Sequence, residues 1–265
     1  MLLAVDVGNT ETVCGVFRDE KLAWQWRLST VPERTADELA LLFQGLLDHA
    51  GLSFDRNVTG VVLSSVVPSA TQALREMVRR YFRFPPVVVE PGVKTGIAIN
   101  IDNPKEVGAD RVVNALAAFT RYGGPDIVVD FGTATTLDAV SAAGEYLGGA
   151  IAPGITVAAE SLYRQAALLR RVELVPPRSV IGKSTAESLQ SGLVLGYASL
   201  VDGMVERMAK ELGSPTVVAT GGLAPVVIEE CRTIDHHEPW LTLEGLRLVF
   251  DRNTETRGAP GGSWP

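Results

Sequence analysis

At 265 residues, with 46% hydrophobic and 21% charged side chains, the chain has the composition of a globular protein and apolar residues enough for one large or two moderate cores. A net charge of −7 and a pI near 5.1 exclude general affinity for nucleic acid or an anionic membrane, both of which need clustered Lys and Arg. Residues 1–7 carry no signal-peptide pattern and no window holds the roughly 18 apolar residues of a membrane span, so a cytoplasmic protein without nucleic-acid or membrane partners is expected.

The first element is a run of β-formers in LLAVDVGNTET, residues 2–12, that delivers Asp6 and turns through Gly8 into Thr10 and Thr12. Residues 13–17 and 22–28 alternate as two further strands, joined by a turn at 18–21. Residues 35–50 read as an amphipathic helix, with Thr35 and Glu38 spaced as a capping box and Gly51 closing it. A β-rich run at 58–67 ends in a Ser-Ser polar cluster, Pro68 opens a helix to about Phe82, and residues 87–90 form a short strand. Residues 91–103, rich in Gly, Asn and Asp, read as a loop. An acid beside a base, Asp110-Arg111, then opens a helix over 112–122 directly after Gly108-Ala109.

The second half starts as the first did. IVVDFGTATT, residues 127–136, is an apolar strand that ends in Asp130 and turns through Gly132 into Thr133. A hairpin follows at 135–141 and 145–151, and a helix from Gly154-Ile155 to about Leu169. A loop covers 176–182, and Ser184 with Glu187 is spaced as a capping box opening a long helix to about Leu212. Residues 216–219 form a strand running into Gly221-Gly222, with a helix to Glu230 and another at 241–250; a Gly/Pro-rich tail at 254–265 is expected to be disordered.

Each strand-to-glycine turn offers backbone N–H groups and hydroxyls, which suit phosphate oxygens, beside a carboxylate that suits the accompanying cation. A single D-x-G-x-T turn is ordinary turn chemistry. Two copies half the chain apart suggest a duplicated α/β domain with mixed sheets and a nucleotide between the lobes. The two cysteines, Cys14 and Cys231, lie far apart without C-x-x-C spacing and read as small buried hydrophobes. His49, His236 and His237 lack ligand spacing for a metal.

With Asp6–Val13, GADR at 108–111 and DFGTATT at 130–136 in place, the sequence resembles a type III pantothenate kinase of the acetate and sugar kinase/Hsp70/actin superfamily. The resemblance runs over almost the whole chain, through DNPKEVGADR, YLGGAIAPGI, STAES followed by Gly192, and LTLEGLRL. It implies two ribonuclease H-like lobes, 1–120 and 121–253, around a nucleotide cleft. It also implies phosphorylation of pantothenate by ATP, Mg²⁺ with the nucleotide, a K⁺ or NH₄⁺ requirement, and a homodimer.

Residue by residue, the resemblance makes Asp110 the general base; a plain helix N-terminal aspartate is the other reading. Arg111 would hold the substrate carboxylate, Gly108 and Ala109 would let pantothenate pass near the backbone, and Thr185 would reach the substrate or serve only its helix start. Asp6, Val7, Gly8, Asn9, Thr10, Glu11, Thr12 and Val13 would wrap the ATP phosphates, Glu11 with no role of its own. Asp6 would position Mg²⁺ through water. Thr133 would donate to a phosphate, Asp130 would bind the monovalent cation, and Gly221 and Gly222 would flank the adenosine. Ile101-Asp102 stands where family members often carry tyrosine, which bears on the pantothenate pose. Another small-molecule kinase, a polyphosphate hydrolase and a non-catalytic nucleotide-binding regulator remain alternatives.

Overall fold

Strand β1 (Leu2–Val7) is buried along nearly its whole length because it sits at the centre of a five-stranded sheet. It pairs antiparallel with β2 (Glu11–Arg18), which pairs antiparallel with β3 (Lys21–Ser29); on its other side lie β4 (Gly60–Ser65) and then β5 (Val87–Val88), both parallel. One face of the sheet, through Leu3, Val5, Val7, Val61 and Leu63, packs on α1 (Ala36–His49) and α2 (Pro68–Met77), which contribute Phe43, Leu47, Leu74 and Met77. The capping box at Thr35 and Glu38 forms as its spacing demands. After Met77 the α2 helix continues as a π-helical turn, Val78–Phe82. The chain is described by a computed structural model over residues 1–54, 56–166 and 169–254.

These elements belong to one of two units, comprising Met1–Gly96, Asn103–Ala117 and the described residues from Thr242 on; Ile97–Asp102 and Ala118–Leu241 form the other. In the first unit, helix α3 (Ala109–Tyr122) begins after a short 3₁₀ turn, and the last helix of the chain, 241–254, crosses the sheet face opposite α1, with Leu243 against Gly15 and Phe250 against Gly60.

The second unit repeats the first sheet. A two-residue strand β6 (Ala98–Ile99) precedes β7 (Asp126–Phe131), β8 (Ala134–Val140), β9 (Glu145–Pro153), β10 (Thr216–Thr220) and β11 (His236–His237). The order β11-β10-β7-β8-β9 mirrors β5-β4-β1-β2-β3, with β7 antiparallel to β8, β8 antiparallel to β9, and β10 parallel to β7; β6 adds a parallel edge beside β9. β1 and β7 share their length and their pattern of burial, buried throughout except at the penultimate residue, Asp6 and Asp130. Ile127, Val129 and Phe131 pack on α4 (Ile155–Gln165) and α6 (Gly196–Leu212) through Ile155, Ala159, Val201 and Val205.

Several expectations change. Residues 91–103 are not loop throughout, because β6 pairs there through its backbone. Helix α4 ends at Gln165, where Ala166 is extended. The helix expected over 184–212 is α5 (Thr185–Gln190), a π-helical turn Ser191–Leu195, and α6. Its start is half a capping box: Ser184 accepts from Glu187 N, while the Glu187 carboxylate takes Lys183 N and Arg178 instead of the Ser184 N–H. The final helix extends to Thr254 and is α8, after a short α7 (Ala224–Val227). Cys14 is buried as expected, but Cys231 is half-buried. Residues 255–265, expected to be disordered, lie outside the described residues.

Asp126, the first residue of β7, is fully buried and its carboxylate oxygens lack a hydrogen-bond partner among the described residues. Burial pushes this carboxyl up from 3.8 to about 6. An acid raised on folding lends stability below its unfolded pKa that is lost as pH climbs through the folded value, here roughly 2–3 kcal/mol between pH 4 and 7. Asp126→Asn is therefore expected to raise the melting temperature at pH 8 and change it little at pH 4. A variant with the wild-type pH slope would show that Asp126 is not the group responsible.

Candidate active site

Asp6 stands half-buried at the end of β1, and the chain then turns sharply: Gly8 N–H donates to Glu11 O at 2.9 Å, leaving Asn9 and Thr10 exposed. The end of β3 braces this turn. Thr30 N–H donates to Thr10 O at 2.9 Å, and the Thr12 and Thr30 hydroxyls lie 2.9 Å apart. Val7 and Thr12 are therefore buried supports of the turn, and Val13 is half-buried. Glu11 pairs with Arg27 at 3.1 Å, which offsets a negative charge beside amides suited to phosphate. The Thr10, Thr12 and Thr30 brace includes one member, Thr30, that the sequence did not single out.

In the same unit, Asn103 caps the 3₁₀ turn (Pro104–Glu106), and the chain then enters α3 with Val112 N–H on Gly108 O. Asp110 lies in the first helical turn, half-buried, and its Oδ1 accepts from Arg111 N–H at 2.9 Å. That bond folds the carboxylate back over Gly108, where a Cβ would overlap it. The glycine before Asp110 is thus needed for the carboxylate's position. Both readings of Asp110, helix-start acid and general base, share this geometry, because one carboxylate in the first helical turn can sit at the helix's positive end and still face a substrate proton.

In the second unit, Asp130 ends β7 half-buried, in register with Thr136 of β8 and Thr220 of β10. Gly132 N–H donates to Ala134 O at 3.0 Å and Gly154 N–H to Thr133 O at 3.0 Å, so Thr133 is held with its side chain exposed. Gly221 adopts φ 96° over this turn; a Cβ there would fall 2.5 Å from Asp130 Oδ1 and 2.6 Å from both N and O of Phe131. A carboxylate, backbone carbonyls and a hydroxyl make an oxygen-rich, water-accessible turn of the kind hard cations favour.

Thr185 is the first residue of α5, exposed, after Ser184 as N-cap. The Glu187 carboxylate, tied to Arg178 and to Lys183 N–H at 3.0 Å, pins the preceding loop to this helix start. Those hydrogen bonds hold its carboxyl below the usual range, the Arg178 pair contributing most. The Arg178–Glu187 pair was not legible as part of the site, since its partners sit on a loop and a helix. Ile101 lies by Gly148 of β9.

Each unit therefore carries a strand-end aspartate beside a turn of amides and hydroxyls, and the first adds a helix-start carboxylate next to an arginine. The model of the type III pantothenate kinase family matches residues 2–207. The type III pantothenate kinase of Streptomyces griseus is 58% identical over 261 residues, covering 96% of this chain and 98% of that protein. That of Frankia casuarinae is 60% identical over 255 residues, covering 96% and 100%. Among solved structures, component A of (R)-2-hydroxyglutaryl-CoA dehydratase from Acidaminococcus fermentans aligns with TM-score 0.56 at 14% identity over 97% of this chain and 99% of that one. A ROK hexokinase from Thermus thermophilus aligns with TM-score 0.51 at 17% identity over 97% and 99%. These structural likenesses show the fold, the actin-like α/β architecture expected from the sequence.

Proposed function

The chain belongs to the type III pantothenate kinases and phosphorylates pantothenate with ATP in coenzyme A biosynthesis, and from that premise we propose how its residues carry the reaction. Asp110 is the general base. It takes the proton of the pantothenate 4′-hydroxyl as that oxygen bonds to the γ-phosphorus and the bond to the β,γ-bridging oxygen breaks, releasing ADP. The observation that carries this reading is the Asp110 carboxylate held at 2.9 Å on Arg111 N–H in the first turn of α3. Arg111 pairs with the pantothenate carboxylate, and Gly108 and Ala109 let the substrate run close to the backbone.

The turn from Asp6 to Val13 wraps ATP phosphates through its amides, and Thr133 donates to a phosphate oxygen. An ATP-using kinase works with a divalent ion such as Mg²⁺, which offsets phosphate charge. The single carboxylate of Asp6 fits an ion that brings most of its ligands from phosphates and water. Asp130 with neighbouring carbonyl oxygens fits a monovalent cation, K⁺ or NH₄⁺, and Gly221 and Gly222 flank the adenosine.

The protein acts in the cytoplasm as a homodimer. Support for the dimer comes from Val180 and Ile181, 73% and 79% exposed beside the start of α5, a costly exposure unless a second copy covers them. Thr185, on the same segment, then reaches the neighbour's substrate. Ile181→Asp is expected to shift sedimentation to monomer and lower turnover together; a dimer that persists would remove this face from the interface.

The roles are tested by ADP release with ATP, Mg²⁺ and pantothenate in K⁺ and in Na⁺ buffer. Turnover that needs pantothenate and falls about tenfold or more in Na⁺ is expected. Equal turnover in both salts would sink the role of Asp130, and ADP release indifferent to pantothenate would sink the substrate roles around Asp110.

A further inference from the structure

β4 ends in two serines that are not alike. Ser65 Oγ donates to Val67 O and accepts from Val67 N–H, both at 3.1 Å. Ser64 is 0% exposed, and among the described residues its hydroxyl has no hydrogen-bond partner. A buried hydroxyl without a partner is destabilising, so alanine would suit the folded chain better.

The position of Ser64 suggests what the hydroxyl does. It stands in register with Asp6 on the parallel strand. Leu3, Val5 and Val7 of β1 and Val61 and Leu63 of β4 all face the α1/α2 core, so alternation turns Asp6 and Ser64 together to the other face. The second unit repeats the pair, with Asp130 in register with Thr220, itself 2% exposed. Each copy of the duplicated sheet thus sets a buried hydroxyl beside its strand-end aspartate.

We infer that Ser64 is a positioning residue for the nucleotide: in the MgATP complex its O–H donates to the Asp6 carboxylate, directly or through one water, and fixes the orientation in which that carboxylate meets the hydrated ion. The inference rests on the reading of Asp6 as the residue that faces Mg²⁺. Without nucleotide the hydroxyl is a liability to the fold; in the complex it is satisfied.

The test compares Ser64→Ala, Ser64→Thr and Asp6→Asn for melting temperature without ligand, calorimetric binding of MgADP, and KM for MgATP and for pantothenate. Ser64→Ala is expected to melt at or above the wild type, to bind MgADP about five- to tenfold more weakly, and to raise the KM for MgATP alone by the same factor. Ser64→Thr, which copies the Thr220 arrangement, is expected to restore both. If Asp6→Asn weakens MgADP while Ser64→Ala does not, the inference fails and the Asp6 reading stands. If neither weakens it, the Asp6 reading fails first. A Ser64→Ala protein that melts lower and loses every kinetic constant together would make the serine a packing residue and overturn the proposal.

Discussion

Asp110→Asn is expected to lower kcat by about 10²–10⁴ while leaving the KM for MgATP within about twofold and the melting temperature only slightly lowered. The substitution suits the question because asparagine keeps a side-chain oxygen that can still accept from Arg111 N–H, the bond that orients the group at 2.9 Å. What it removes is the capacity to take a proton at neutral pH. A carboxylate that served only the helix start would lose part of a macrodipole interaction, roughly 0.3–1 kcal/mol, and that loss would appear as lower stability with kcat untouched. The small stability loss is common to both readings, so the size of the fall in kcat is what separates them. Wild-type kcat in the variant would retire Asp110 as base and send the search to the other oxygen acids of the first unit.

The sequence is most informative where a local pattern has a local cause. The hairpins after Asp6 and Asp130, the Thr35–Glu38 box and the glycine turns all form because neighbouring residues satisfy one another's backbone groups. What escaped has a distant cause. The edge strands β6 and β11 are two residues each and exist only because β9 and β10 offer them open backbone partners. Helix α4 stops at Gln165 with no glycine or proline at its end. Glu187 has the right spacing for a full capping box but is drawn away by Arg178 and by Lys183 N–H, a competition that spacing cannot show. The same holds within the site. Asp6, Asp110 and Asp130 announce themselves through glycine-flanked motifs, whereas Ser64 reads as a strand-end serine until the register sets it beside Asp6. Thr30 likewise gains meaning only through its bonds to Thr10 and Thr12.

Gly221→Ala is expected to cost about 2–6 kcal/mol of stability and to abolish the K⁺ stimulation of turnover proposed for Asp130. Two penalties combine. A non-glycine residue held at φ 96° carries backbone strain on the order of 1–3 kcal/mol. The added Cβ must also share space with Asp130 Oδ1 at 2.5 Å and with the Phe131 peptide at 2.6 Å, an overpacking of about 1–3 kcal/mol. Neither side can yield cheaply. Phe131 O accepts Leu223 N–H at 3.1 Å and Gly221 O accepts Ala224 N–H at 3.2 Å, so moving the turn breaks bonds that start α7. The displaced partner is then the Asp130 carboxylate, the proposed cation ligand. Two companions separate the effects. Gly45→Ala, in α1 with open space around it, should stabilise by roughly 0.5–1 kcal/mol, showing that alanine itself is harmless in this protein. Asp130→Asn should lose the K⁺ response with little change in melting temperature, because it removes charge without crowding the turn. Wild-type stability in Gly221→Ala would mean the turn relaxes freely, and a retained K⁺ response in Asp130→Asn would place the cation elsewhere.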